Sequence, residues 1–420
     1  MGYDDPVRRL ALIFATCAVT AAALSLPAGC GDDDVGSAVD PALEASAGDH
    51  VDVPDGAKSD ASASDAAVVP RGARVLGVSV VIGDLDFLRN VQTARDAGAS
   101  TTNVSFAWDE IERPYDAGAP DASDDAADPD ASDADAGPPR SPTQVFHPLL
   151  HVANLVLSDQ RFAATVTIDA LDVGGSRAPA ELAALAFDDP ELVTRYDRVL
   201  DYALDQLPDL EVTALFLASA VDVSLADDAA KHAAFATLVT SAAAHVHALR
   251  PKVKVGFVVT SDGAIARKDR LAAAWAASDV IGVTYLPIDA TSHVVPAAQV
   301  PAAVAADVDR LVAALPTGKP IVVREAGFPT AAESGGDEAA QSAFVSAVFD
   351  AWDRQATRIP VLTFRELIDA DQATAAAIAA RYGHSDAAFL AFLRSLGLQT
   401  ADRAKAGEGA LIRASRARGF

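Results

Sequence analysis

The sequence has little cysteine, few basic residues and no phosphate-binding loop, and each shortage closes off a class of function. Only Cys17 and Cys30 stand in 420 residues, so no disulfide framework can hold the fold and the core must carry it alone. Lys and Arg number 33 against 59 Asp and Glu, a net charge of −26. A polyanion partner needs basic side chains against its phosphates, so nucleic acid is excluded. Behind the first apolar run, Gly83-Asp84-Leu85-Asp86 has neither the G-x-G-x-x-G spacing nor the P-loop lysine, which argues against a nucleotide. His245-Val246-His247 falls in a helical stretch, where residues two apart face different directions, so this pair reads as surface histidine. No zinc spacing appears elsewhere, and no Asp-x-Asp-x-Asp-Gly register with a distal Glu marks a calcium loop. No cofactor and no metal are expected.

What is present divides into a leader, two acidic tracts and a globular region. Arg8 and Arg9 precede Leu10 to Leu26, 17 uncharged residues followed by Pro27, Ala28, Gly29 and Cys30. One basic flank, small residues at the end and an acidic sequel read as a secretory leader over residues 1–30. Gly31 to Pro70 sets ten acidic residues against Lys58 and reads as a self-repelling tether. Asp116 to Pro139 holds eight Asp and no basic residue, a solvated insertion. The two tracts carry −9 and −8 of the total charge, so the rest of Arg71 to Phe420 is only mildly acidic.

Leu26-Pro27-Ala28-Gly29-Cys30 resembles the lipobox of bacterial lipoproteins, with Pro27 where that family usually has leucine. The resemblance implies export, lipid on Cys30 and anchorage to the cell envelope, at the inner or the outer membrane. The alternative is an ordinary secretory leader with an incidental cysteine.

From Arg71 onward, short apolar runs alternate with longer stretches of helical spacing. Strands are expected at Val75 to Ile82, Thr102 to Ala107, Ala163 to Ile168, Val212 to Leu217, Val253 to Val259, Val280 to Tyr285, Ile321 to Glu325 and Pro360 to Phe364. Most are continuous Val, Ile and Leu runs, as parallel strands covered on both faces require. Asp189-Pro190 is an N-cap with proline at the first helical position, and Leu192, Val193, Tyr196, Val199 and Leu200 follow on one stripe. Phe344, Val345, Val348, Phe349 and Trp352 make a second stripe. Eight such units predict an α/β fold, a monomeric (β/α)8 TIM barrel over residues 71–420 with three extra C-terminal helices after Ile368. One of these stops at Gly383, and another starts at Ser385 with Phe389, Leu390, Leu393 and Leu396 inward.

Chemistry in such a barrel belongs at the C-terminal strand ends. There the sequence places Trp108, Asp109, Glu110 and Glu112; Asp169 and Asp172; Ala220 and Asp222; Ser261 and Asp262; Tyr285; Glu325; Arg365 and Glu366. Carboxylates with aromatic platforms suit carbohydrate, since one acid protonates the leaving oxygen, a second attacks, and rings stack on sugar faces.

Val322-Val323-Arg324-Glu325-Ala326-Gly327-Phe328-Pro329 resembles the strand-seven motif of clan A glycoside hydrolases, and the order of elements is similar to the family 53 galactanases. The resemblance implies Glu325 as nucleophile, Tyr285 as its hydrogen-bonding partner, Trp108, Tyr285 and Phe328 toward substrate, and a saccharide as partner. Strand four departs from the pattern. Where the family usually ends it Gly-Asn-Glu, this chain has Ser219 in place of the Asn and Ala220 in place of the acid/base Glu. An alanine transfers no proton, and that assistance is worth roughly 10²- to 10⁴-fold. Asp222 is the substitute acid if the strand continues past Ala220; Glu110, Glu112 and Glu366 approach from neighbouring loops. Asp169 and Asp172 are expected to bond backbone groups. Alternation turns Arg324 away from Glu325, toward a helix-facing ion pair. The expectation is a catalytically impaired or non-catalytic, saccharide-binding barrel lipoprotein of glycosidase lineage, and the alternative is an active retaining glycosidase on β-linked polysaccharide with Glu325 as nucleophile and a relocated proton donor.

Overall fold

The computed structural model describes residues 68–83, 86–114, 143–384 and 386–420. The leader, Cys30, the tether as far as residue 67, the Asp/Ala insertion and Ser385 lie outside the described residues.

Eight parallel strands close into a barrel: β1 (Val75–Val78), β2 (Thr101–Ala107), β3 (Ala163–Asp169), β4 (Val212–Phe216), β5 (Val255–Thr260), β6 (Val280–Tyr285), β7 (Ile321–Ala326) and β8 (Val361–Phe364), with β1 pairing both β2 and β8. Each expected strand is found, with ends shifted by a few residues. The helices around them are α1 (Phe87–Asp96), α2 (Pro148–Asp159), α3 (Pro190–Asp205), α4 (Ala229–Leu249), α5 (Lys268–Ala277), α6 (Val300–Ala314) and α7 (Glu338–Arg354). Asp189 caps α3 by accepting from the Glu191 amide at 2.8 Å, a bond that satisfies one orphan donor of the first turn. The stripe behind it is buried except for half-buried Val193. Among the described residues no helix is long and apolar enough to cross a membrane.

Alternation splits the strand residues between two clusters. Leu76, Val78, Val104, Val166, Ile281, Val283, Val323 and Leu362 belong to the large cluster between strands and helices. The opposite parity, Ala214, Phe216, Val258, Val280, Val322 and Val361, forms a separate cluster inside the barrel. Thr101, Asn103, Ser105, Thr165 and Thr167 share that inward parity on β2 and β3, so one side of the lumen is apolar and the other polar.

After β8 come α8 (Gln372–Arg381), α9 (Ala387–Leu393) and α10 (Ala406–Arg418). Gly383, at φ +67°, turns the chain out of α8, and Asp386 caps α9 through the Phe389 amide at 2.8 Å. Phe389, Leu393 and Leu396 are buried and Leu390 is half-buried. The third helix is not an addition. In α10, Ser415 donates through Oγ to the Ala97 carbonyl at the end of α1, 2.8 Å away, so α10 closes the helical ring between the first and last units. Only α8 and α9 are extra. They pack on Ala220, Leu286 and Ile288 beyond β4 and β6, which puts them on the C-terminal mouth.

Candidate functional site

The mouth holds a cleft of about 360 Å³ on the side of β1, β2, β7 and β8. Its floor is Arg324, Glu325 and Arg365, and its walls include Ser79, Asn103, His147, Glu366 and Asp369. Glu325 is 4% exposed and held by cations on both oxygens: Arg324 Nη1 donates to Oε1 at 2.6 Å and Arg365 Nη1 to Oε2 at 2.9 Å. Both guanidinium groups are buried as well.

Arg324 does not turn toward the helices. Between β6 and β7 the register passes from Val283 opposite Val323 to Thr284 opposite Glu325, so one residue of β7 is extra. The same extra residue appears against β8. Such a bulge breaks the alternation, and Arg324 reaches inward to donate to Ser105 Oγ on β2. Asn103 pins the bulge: its Nδ2 donates to the Arg324 carbonyl and, at 2.9 Å, to Ser79 Oγ, while its Oδ1 accepts from Thr165 Oγ1 at 2.6 Å. Arg365 also lies 3.4 Å, through Nε, from Glu366 Oε1, so two carboxylates share one guanidinium at the cleft floor.

The expected aromatic platforms lie elsewhere. Tyr285 has the parity of Ile281 and Val283, and its hydroxyl donates to Asp307 Oδ2 at 3.1 Å, not to Glu325. Burial, followed by the Asp307 charge, pushes its phenol up. Phe328 packs on Phe344 with centroids 5.2 Å apart, and Trp108 on Tyr196 at 5.0 Å. Trp108 Nε1 donates to Glu112 Oε2 at 2.8 Å, and Arg195 holds the other oxygen of that buried carboxylate at 2.7 Å. None of the three aromatic residues Trp108, Tyr285 and Phe328 lines the cleft.

Strand four behaves differently from its expected extension. The strand ends at Phe216, Ala220 takes a left-handed conformation at φ +47°, and Val221–Leu225 is a short helix. Asp222 is therefore on no strand face. It is fully buried, accepting from the Thr260 amide at 2.9 Å and Thr260 Oγ1 at 2.7 Å, and burial pushes its carboxyl up to about 6. Ser219 donates to Asp169 Oδ1 at 2.7 Å, a side-chain partner where a backbone one was expected. Burial pushes the Asp169 carboxyl up to about 7, with Asp172 adding to the rise. Asp172 does accept from a backbone amide, that of Gly174 at 2.8 Å. Arg177 gathers the nearby acids, with Asp109 at 2.6 Å and Glu110 and Asp172 at 3.1 Å.

His147 was not visible as a site residue. It precedes Pro148, the first residue of α2, and its ring meets Phe106 edge-on at 4.8 Å. Nδ1 has no hydrogen-bond partner among the described residues, and burial lowers the imidazole below its ordinary range against the opposing pull of Glu110. Its only sequence signal is a polar residue beside a helix-starting proline. A signal for Asn103 and Ser105 exists in the period-two polar positions of an otherwise apolar strand.

No protein-family model matches this sequence, and no curated protein matches it. Solved structures do match in fold. A family 5 glycoside hydrolase from Bifidobacterium longum subsp. infantis aligns with a TM-score of 0.55 at 13% identity, over 82% of this chain and 79% of its own. One from Streptomyces cattleya, solved in complex with Manb1-4GlcNAc, aligns at 0.57 and 16% identity over 82% and 80%. A family 39 enzyme from Bacteroides cellulosilyticus WH2 aligns at 0.53 and 13% identity over 83% and 64%. At these identities the likeness speaks for architecture, and this chain is a closed (β/α)8 barrel with the fold that those clan A glycoside hydrolases build.

Proposed function

We propose that this chain is a non-catalytic saccharide-binding barrel of glycosidase lineage, carried at the cell envelope by lipid on Cys30. The observation that carries the reading is the clamp on Glu325: both oxygens are engaged by buried guanidinium groups. A nucleophile must present a lone pair to the anomeric carbon while a second carboxyl protonates the leaving oxygen. Here the position of that second carboxyl is Ala220, enclosed by apolar side chains of α8 and α9. The cleft supports binding, being concave, partly apolar and supplied with polar groups of fixed orientation. Envelope anchorage rests on Leu26 to Cys30 alone.

The alternative is an active retaining glycosidase, and one observation favours it: Glu366 shares Arg365 with Glu325 at the cleft floor. The two readings separate on release of reducing sugar from galactan, arabinogalactan and other β-linked polysaccharides, with Glu325→Ala as control. Turnover abolished by that change rejects the non-catalytic reading. No release, even from an activated aryl glycoside that needs little proton donation, rejects the catalytic one. Calorimetric titration of the wild-type chain with the same saccharides then tests binding directly.

A further inference from the structure

The chain leaves the β8 loop at Asp369 and returns at Gly397, and the two ends touch. Gly397 donates its amide to Asp369 Oδ1 at 2.8 Å, Asp369 donates to the Gln399 carbonyl at 2.9 Å, and Gln399 donates to that of Leu367 at 2.8 Å. The stretch between them, with α8 and α9, is thus an excursion from a loop that closes without it. Joined ends of this kind are where insertions are tolerated in a fold.

The excursion lies on one half of the mouth. Ile378, Tyr382, Phe392 and Leu396 pack with Ala220, Leu286 and Ile288 beyond β4 and β6. Polar ties fix it to the other loops: Arg381 pairs with Asp172 after β3, the Thr330 amide donates to the Ser395 carbonyl at 3.1 Å, and Ser334 Oγ donates to the Ala388 carbonyl at 3.3 Å. No lining residue of the cleft follows β4, β5 or β6, whereas Asp371 and Thr374, at the start of the excursion, form part of its wall. A site that takes the interior of a polymer has to let the chain leave at both ends. In this barrel one half is filled by packed side chains, and the remaining 360 Å³ sits at the small end of ligand pockets, about 300–1,000 Å³.

We infer that the excursion between Asp369 and Gly397 makes the cleft a closed-ended pocket for the terminus of a glycan or a short oligosaccharide, and not for the interior of a polysaccharide chain. The inference rests on the saccharide reading above and names the ligand class for that same cleft.

The test is calorimetric titration of the full chain with β-linked manno-, gluco- and galacto-oligosaccharides of two to six units, and with each polymer before and after partial acid hydrolysis. For a bound series, affinity is expected to level off after two units, within about twofold to the hexasaccharide, with polymer bound in proportion to its ends. Affinity that climbs about tenfold or more between two and six units, or polymer binding indifferent to the number of ends, overturns the inference. Binding to no saccharide of any length instead overturns the saccharide reading itself. Replacing residues 370–396 by two glycines supplies a second arm. If that variant keeps its circular dichroism, its affinity for the hexasaccharide should rise about tenfold over the wild type, and an unchanged affinity counts against the inference. If it does not fold, the wild-type length series still decides.

Discussion

Replacing Glu325 by alanine removes the one anion that Arg324 and Arg365 both touch. The side chains of Arg324, Glu325 and Arg365 are 1%, 5% and 3% exposed, so the three charges are largely desolvated at the floor of the cleft. Breaking a buried pair from one side costs about 3–5 kcal/mol, chiefly as the penalty of the charge left behind. Arg365 keeps Glu366 at 3.4 Å. Arg324 keeps its hydrogen bond to Ser105 and the weaker pull of Asp169, and its Nε has no hydrogen-bond partner among the described residues, so most of the penalty falls there. With an unfolding entropy of about 2.1 cal/mol/K per residue, the loss lowers Tm by roughly 4–7 °C. The sign separates two roles. A carboxylate kept ionised for chemistry usually sits under strain that its removal relieves, whereas a structural counter-ion takes stability with it. Thermal unfolding by calorimetry at neutral pH measures the difference, and Glu325→Ala with Arg324→Met should recover more than half of the loss. A Tm for Glu325→Ala equal to or above that of the wild type would refute the reasoning.

Four further outcomes are expected. Ala220→Glu places a carboxylate among Leu286, Ile288 and Phe392 and should cost about 3 kcal/mol or more without creating hydrolysis; reducing-sugar release by this variant would contradict the packing described. Asp169 holds its proton to about pH 7 in the folded chain, while its unfolded counterpart titrates near about 3.9. Between those values only the folded state binds the proton, so stability falls as pH rises through that window, by roughly 1.4 kcal/mol per pH unit at its steepest. Asp169→Asn should flatten that slope in denaturant titrations, leaving the smaller contribution of the same sign from Asp222 up to about pH 6; an unchanged slope rejects the assignment. Asp222→Ala strands the buried Thr260 amide and hydroxyl and should cost about 2–4 kcal/mol while leaving saccharide affinity unchanged; weaker binding would place Asp222 back in the site. Cys30→Ser should move the protein from the membrane fraction to the soluble exported fraction, and retention in membranes would argue against the lipid anchor.

The eight strands were legible because a parallel strand covered on both faces must be apolar throughout, and short Val and Ile runs bounded by turns have few other uses. The phase within each strand was equally legible. Tyr285 shares the parity of Ile281 and Val283, which the helices cover, so its outward direction followed from alternation alone. The family resemblance pulled it inward against that pattern. Arg324 shows the converse. Alternation sent it outward, and a bulge that no residue type announces brought it in. Of the three helices expected after β8, two are additions and the last completes the ring, because only closure shows which helix lies beside α1.

Taken by itself, the sequence determined what depends on neighbours along the chain: the acidic tracts and the order of strands and helices. Those features follow from local composition and from periods of two and 3.6 residues. The tertiary structure decided what depends on residues far apart in the chain. Closure of the barrel brings Ser79, Asn103, His147, Glu325 and Arg365 to one cleft, and the returning excursion leaves half of the mouth shut. Register and bulge decide which side of a strand a charge emerges on, and both are set by pairing with a neighbouring strand rather than by the residues that carry the charge. That is why the sequence could put Glu325 and Arg365 at neighbouring strand ends, while only the bulge brought Arg324 in beside them.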